Sequence, residues 1–415
     1  MFLASLKKFN YLRNKHYSLE EYNLSSYELF ELILNKKIKK SKFNIFELLI
    51  NIILFFLSLI SIIKCKIRNI NNINYFIVFN NDLIDPRSNY ISKIKTKKFV
   101  NIIKTGDLKL SLKVYYKYEN VVFHQSIVFF SRFFFFENKF SLKDKFEFIH
   151  KCNLRKNKFY KLIFKFLKIK KLIMIDDYRE MQNFITICKK LNIYSIGLMH
   201  SRFSKYRVSL KYDCFDKYIV WTEYFKKKLL EINPKYKNKI DIINFRNFKK
   251  IIKYKSKTNL NVLFFSDSMM DYKSVKNYLD QIKEKKNINI FLRLKKNQQE
   301  NRTFLKYISE NNFIDTNEKN VKSTVIKYNP SFFLATNSNV LLEASLYNCF
   351  PILLKTKNDY SFDLIQDKVV IPYTGNKNFY NFLKNLNNKK SMINKIFNKL
   401  WKKKNKNKNL IKILN

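Results

Sequence analysis

The chain has 415 residues, which suits two domains of ordinary size, and its 46% hydrophobic content is enough for real cores. A formal net charge of +50 favours anionic partners such as lipid head groups, nucleotide phosphates or an acidic glycan. The Lys residues are scattered and no aromatic–basic module interrupts them, so nucleic acid is not expected as a partner, and the three isolated glycines (Gly106, Gly197, Gly375) exclude both a P-loop and a G-x-G-x-x-G fingerprint.

In chain order, residues 1–44 are polar and Lys-rich, and the opening Met-Phe-Leu-Ala-Ser-Leu is too short for a cleaved signal peptide. Residues 45–63 form the longest apolar run, interrupted by Glu47, Asn51, Ser58 and Ser61 and flanked on both sides by Lys and Arg. Three readings fit it: a helix lying in the inner membrane face with Lys reaching lipid phosphates, a true span, or a buried helix of the first domain. From residue 72, short β-rich runs at 75–79, 121–123, 172–175, 194–199, 218–221 and 240–243 alternate with helical stretches, notably 179–191 and 223–232. That alternation predicts a parallel sheet covered by helices. Residues 249–259 read as a linker. Strands at 262–265 and 288–292 and helices at 272–285 and 303–311 then restart the pattern. After residue 388 the tail is Lys/Asn-rich with amphipathic pieces.

The five cysteines are widely spaced and odd in number, which fits a reducing compartment and buried thiols, and the four histidines lack metal-ligand spacing. No metal and no cofactor is expected. Over-use of Lys, Asn, Ile, Phe and Tyr beside 3 Gly and 5 Pro also fits an AT-biased genome, so part of the charge is mutational background.

The chemistry-bearing residues fall just beyond predicted strands, on the edge where open α/β sheets bind ligands. Asp176 and Asp177 follow the strand at 172–175; they are candidate bases, or a helix cap and its solvated neighbour. His200 follows the strand at 194–199, where it can act as general base, donate to a phosphate, or serve as a structural histidine. Ser266 ends the strand at 262–265 and Arg293 ends that at 288–292, with Lys295 beyond it. An arginine can grip phosphate oxygens with two parallel hydrogen bonds; the alternative is a surface basic cluster. The segment 331–354, SFFLATNSNVLLEASLYNCFPILL, reads as buried strand, polar turn, short helix and second strand. In its turn, Asn337, Ser338 and Asn339 either cap the helix or present it to an anion.

This segment resembles the donor-site signature of two-Rossmann-domain (GT-B) glycosyltransferases, through Ser338, Val340-Leu341-Leu342-Glu343-Ala344 and Pro351. The family usually has Gly before the Pro, where this chain has Asn348-Cys349-Phe350; Asn can take the left-handed conformation that Gly would supply. Residues 196–226, with Gly197, His200, Asp216, Trp221 and Lys226, resemble a stretch of bacterial capsule and surface-polysaccharide transferases, with Ser201 in place of a second Gly. The resemblance covers roughly residues 170–375 and implies an α/β fold of two Rossmann-like domains facing a cleft, with an N-terminal apolar helix. Together with the apolar run, the strand–helix alternation and the Lys-rich tail, the expected organisation is a membrane-associating segment at 1–70, an acceptor domain at 71–248, a donor domain at 260–390 and a basic tail at 391–415. The resemblance further implies metal-independent transfer of a sugar from a nucleotide-sugar donor to a lipid-linked or surface glycan, on the cytoplasmic face of the inner membrane, peripheral or anchored by one helix. Arg293 and Lys295 would meet the donor diphosphate, Ser266, Asn337, Ser338 and Asn339 would line the same site, and Glu343 would meet the ribose or sugar hydroxyls. His200 and Asp176 would be the catalytic candidates. The absence of a D-x-D motif in a suitable turn agrees with chemistry without a metal. A polyol-phosphate transferase of the teichoic-acid polymerase type, or a non-catalytic membrane scaffold, would share the fold.

Overall fold

The computed structural model describes residues 45–68, 75–79, 99–103, 107–118, 120–132, 142–174, 181–199, 214–243, 260–266, 271–294, 302–311, 313–316, 320–355, 362–375 and 378–401, besides positions 11, 202, 210, 211 and 318. The chain divides into two compact units, the main change falling between residues 246 and 247, with Thr222–Tyr224 grouped with the second unit. The expected linker at 249–259 lies outside the described residues.

The first unit is built on seven strands: β1 (Tyr75–Phe79), β2 (Phe99–Ile103), β3 (Val121–Phe123), β4 (Lys171–Met174), β5 (Tyr194–Leu198), β6 (Lys217–Val220) and β7 (Ile240–Ile242). They lie in the order β3-β2-β1-β4-β5-β6-β7, and every pairing is parallel. The second unit carries β8 (Leu260–Phe265), β9 (Ile288–Arg293), β10 (Ile314–Asp315), β11 (Phe332–Ala335), β12 (Phe350–Leu354) and β13 (Ile371–Tyr373). Their order is β10-β9-β8-β11-β12-β13, again all parallel. Parallel sheets are covered on both faces, so their strands read as unbroken apolar runs. Phe332–Ala335 and Phe350–Leu354 are accordingly buried at every position. In each sheet the first strand is central and the order reverses beside it, between β1 and β4 and between β8 and β11. This is the doubly wound arrangement of Rossmann-like domains, as the sequence predicts.

The helices of the first unit are α1 (Ile45–Arg68), α2 (Leu108–Lys117), α3 (His124–Arg132), α4 (Leu142–Phe166), α5 (Met181–Leu191) and α6 (Glu223–Ile232). Those of the second are α7 (Tyr272–Asp280), α8 (Arg302–Glu310), α9 (Val321–Tyr328), α10 (Val340–Glu343), α11 (Phe362–Gln366), α12 (Phe379–Asn387) and α13 (Ser391–Trp401). A chain so poor in glycine must end its helices with other residues. Lys168, Asn192, Asn329, Asn348 and Lys368 all take positive φ, from 43° to 54°, at or just past helical turns. Asn tolerates this conformation through its short polar side chain, whereas Lys bears the full steric cost. All five cysteines are buried thiols, none in a disulfide. Burial pushes the Cys65 thiol up to about 11, and burial followed by the nearby Asp216 carboxylate raises that of Cys188 well above its ordinary value, so neither is a ready nucleophile.

Helix α1 runs against the edge strand β3 with its polar residues inward. Ser61 Oγ accepts the Val121 N–H at 2.6 Å, and Ser58 Oγ accepts the Phe123 N–H at 2.9 Å. Alternate N–H groups of an outermost parallel strand point away from the sheet and need partners. The two serines, three residues apart on one helical face, supply them. Leu54 packs beside them with Val121, Phe123, Ile103 and Val114. The opposite face, with Phe46, Leu49, Ile53, Phe56, Ile60 and Ile63, is exposed. Of the expected alternatives, a helix wholly buried among the described residues is not what is found, since only 28% of its most apolar stretch is buried. The polar interruptions therefore mark the face that meets the protein.

Gly197 on β5 is required by packing. A Cβ there would stand 2.4 Å from Tyr218 Cδ2 and 2.7 Å from Phe215 Cδ2, both rings being fully buried. Gly197→Ala is expected to destabilise the first unit by about 1–3 kcal/mol, the usual cost of overpacking. An unchanged melting temperature would contradict the close packing of β5 on β6.

Candidate functional site

The second unit brings most of the predicted donor-site residues to one edge of its sheet. Strands β9, β8 and β11 are neighbours, with Phe265 paired to Arg293 and Leu334 paired to Phe264. Ser266 follows β8 and Thr336 follows β11, the two strands that flank the reversal of strand order, where such sheets bind ligands. Ser266 and Thr336 are buried, and the Ser266 N–H donates to the Arg293 carbonyl at 3.2 Å. Ser266 is thus set inside the strand ends, whereas Asn337, Ser338 and Asn339 in the next turn are half-buried.

That turn leads into α10, a single helical turn that tightens into a 3₁₀ turn at Ala344–Tyr347. The Leu341 N–H donates to the Ser338 carbonyl at 3.2 Å, and the Val340 N–H reaches Ser338 Oγ at 3.4 Å. Asn339, the N-cap residue, makes no side-chain capping bond. The capping alternative is therefore carried by Ser338, through a long and weak bond. Glu343 ends the turn, half-buried. Asn348 closes the segment in the left-handed conformation (φ 54°), so asparagine does supply the turn that the family makes with glycine. The Cys349 N–H then donates to the Ala344 carbonyl at 2.9 Å, and β12 begins.

Arg293 is held within its own unit. Its Nη1 donates to the Glu318 carbonyl at 2.9 Å and to Thr324 Oγ1 at 2.8 Å, which ties β9 to α9. The guanidinium keeps its charge at the strand ends, but its direction is set by these two acceptors. A residue not singled out by the sequence also acts here. Trp401, at the end of α13, donates its indole N–H to the Leu342 carbonyl at 3.1 Å and so braces α10 from behind. Its one sequence signal is a tryptophan, one of two in the chain, on an amphipathic stretch of an otherwise Lys/Asn-rich tail.

In the first unit, the strands that precede the catalytic candidates are in place. β4 ends at Met174 beside the reversal of strand order, and β5 leads into Met199, whose N–H donates to the Ile219 carbonyl at 3.0 Å. Asp176 and His200 themselves, and Lys295 in the second unit, lie outside the described residues. Asp216, from the stretch that resembles surface-polysaccharide transferases, has a structural task. Its carboxylate accepts the Ser195 N–H at 2.8 Å and the Ser195 hydroxyl at 2.7 Å, fixing the start of β5 to β6.

The sequence matches no protein-family model, and no curated protein matches it. Solved structures do. The glycotransferase of kitacinnamycin superposes with a TM-score of 0.52 at 9% identity, over 79% of this chain and 94% of the other. UDP-GlcNAc 2-epimerase from Neisseria meningitidis, bound to UDP-GlcNAc, gives 0.51 at 11% identity, over 82% of this chain and 98% of the other. At such identities the likeness is one of fold, and the fold is the one expected: two Rossmann-like domains of the GT-B class with an added apolar helix.

Proposed function

We propose that this chain is a membrane-associated glycosyltransferase. It moves a sugar from a nucleotide-sugar donor to a lipid-linked or surface glycan, without a divalent metal, at the cytoplasmic face of the inner membrane. What supports the reading is that Ser266 and Thr336, with the Asn337–Ser338–Asn339 turn, follow β8 and β11, the two strands flanking the strand-order reversal of the second sheet, while Arg293 ends the neighbouring β9. The solved structure of a protein of this fold with UDP-GlcNAc bound supports a nucleotide sugar as donor.

In this reaction the bond between the sugar's anomeric carbon and the donor phosphate breaks, and negative charge collects on the departing nucleotide. The fixed guanidinium of Arg293, with Lys295 adding a point charge, and the N–H groups of the Ser338 turn stabilise that charge without having to reorganise. Glu343 accepts from ribose or sugar hydroxyls. The acceptor hydroxyl attacks the anomeric carbon and gives its proton to His200, with Asp176 as the alternative base.

Titration calorimetry with a panel of nucleoside diphosphates and nucleotide sugars tests the donor site. One nucleotide should bind, and Glu343→Ala should weaken the nucleotide sugar by about 1.5–3 kcal/mol, the range for hydrogen bonds to a charged group. Binding of a nucleotide-linked polyol and no nucleotide sugar would transfer the reading to a polyol-phosphate transferase. Absence of any nucleotide affinity would leave a scaffold.

A further inference from the structure

The outward face of α1 continues onto α4. Lys66, near the end of α1, donates to the Phe166 carbonyl at 3.0 Å and sits 5.3 Å from the centre of the Phe166 ring, so the two helix ends are tied together. Between α1, α3 and α4 lies an open groove of about 470 Å³, lined by Phe55, Phe130, Phe159 and Leu162 and by the exposed Arg155 and Lys158. Its floor is aromatic, with the Phe55 ring 5.0 Å from Phe130 and 6.4 Å from Phe159. Leu162, beside it, is 66% exposed.

We propose that this groove holds a hydrocarbon chain of an anionic membrane phospholipid, with its phosphate met by Arg155 and Lys158, so that α1 lies along the bilayer surface instead of crossing it. The inference deepens the membrane part of the reading above.

Three observations carry it. The first is the reversed polarity of α1. A helix facing water turns its serines outward, whereas here Ser58 and Ser61 are spent on β3 and Phe46, Leu49, Ile53, Phe56 and Ile60 face out. The medium outside this face is therefore apolar. The second is the bonding itself: a helix withdrawn to span the bilayer would strip the Val121 and Phe123 N–H groups of their acceptors. The third is charge. Lys161 shares α4 with Lys158 and Lys165, and its pKa is lowered by burial first and then by Lys190, Lys165 and Lys158. Crowded cations of this kind favour a phosphate-bearing surface. They disfavour a second copy of this chain, which would bring the same cations face to face.

The test uses the full chain and vesicles of phosphatidylcholine alone or mixed with phosphatidylglycerol, some of the latter carrying a photoreactive group on one acyl chain. Wild-type protein should sediment with the anionic vesicles, be released by alkaline carbonate, and carry the photolabel in the peptide containing Phe159 and Leu162. Arg155→Gln with Lys158→Gln should lower vesicle affinity about thirtyfold. Leu162→Glu, at an exposed site, should abolish the label while the melting temperature stays put. Vesicle binding without label in α4 overturns the groove and leaves membrane association standing; no vesicle binding overturns both. Retention after carbonate, or a dimer in light scattering that Phe56→Ser with Ile60→Ser dissolves, also overturns the proposal. Nucleotide affinity measured on the same samples reports separately on the donor site.

Discussion

Replacing His200 with Gln is expected to lower turnover by about 10²–10⁴, the range for a lost acid–base group, with little change in melting temperature. The expectation rests on position and chemistry together. His200 comes just after β5 in the sequence, at the carboxyl edge where open α/β sheets bind ligands, and imidazole changes protonation near neutral pH. Glutamine keeps hydrogen-bonding capacity but cannot take a proton, so the loss falls on the chemical step. If the imidazole is the base, kcat/KM must fall as the pH drops through its pKa, because the protonated ring cannot accept the acceptor's proton. Asp176→Asn is the control. A larger loss there moves the base to Asp176, and a His200→Gln protein whose main defect is a lower melting temperature rejects the catalytic role.

Arg293→Ala should show two separable losses. Its Nη1 bonds to the Glu318 carbonyl and Thr324 Oγ1 join β9 to α9, and removing them should cost about 1.5–3 kcal/mol of stability. For a unit of this size that is a fall of roughly 3–12 °C in melting temperature. The same change removes a fixed positive charge from the strand ends, and nucleotide affinity should weaken by a similar 1.5–3 kcal/mol. Arg293→Lys separates the two, since it keeps the charge but cannot reproduce the planar fork. It should recover part of the affinity and little of the stability. A lower melting temperature with unchanged affinity in a calorimetric titration would assign Arg293 to the frame of the unit alone.

Most strands were legible because a parallel sheet demands continuous apolar runs, and VVF, KLIM, LNVLFF, FFLA and FPILL declare themselves. The strands that escaped are β2, β10 and β13. The last two are edge strands of two and three residues, and Pro372 in β13 argues against a strand except at such an edge. Helix α4, with 25 residues, was hidden by its own lysines, which blur the apolar period. In α1 the signal was present and points the other way from its usual sense. Asn51, Leu54, Ser58, Ser61 and Cys65 recur at helical spacing, and it is this partly polar stripe that is buried. At the candidate donor site the turn and its closing asparagine were readable as local chemistry. The tie from Arg293 to Thr324 and the brace from Trp401 were not, since each joins residues distant in sequence.

The central claim, transfer of a sugar from a nucleotide donor, is tested most directly by incubating the protein with radiolabelled nucleotide sugars and a membrane-lipid extract. The product is followed by chromatography. The account predicts label in the lipid or glycan fraction together with stoichiometric nucleoside diphosphate, lost in His200→Gln and reduced in Glu343→Ala. Label that stays on the nucleotide, with its sugar unchanged or isomerised, would contradict it.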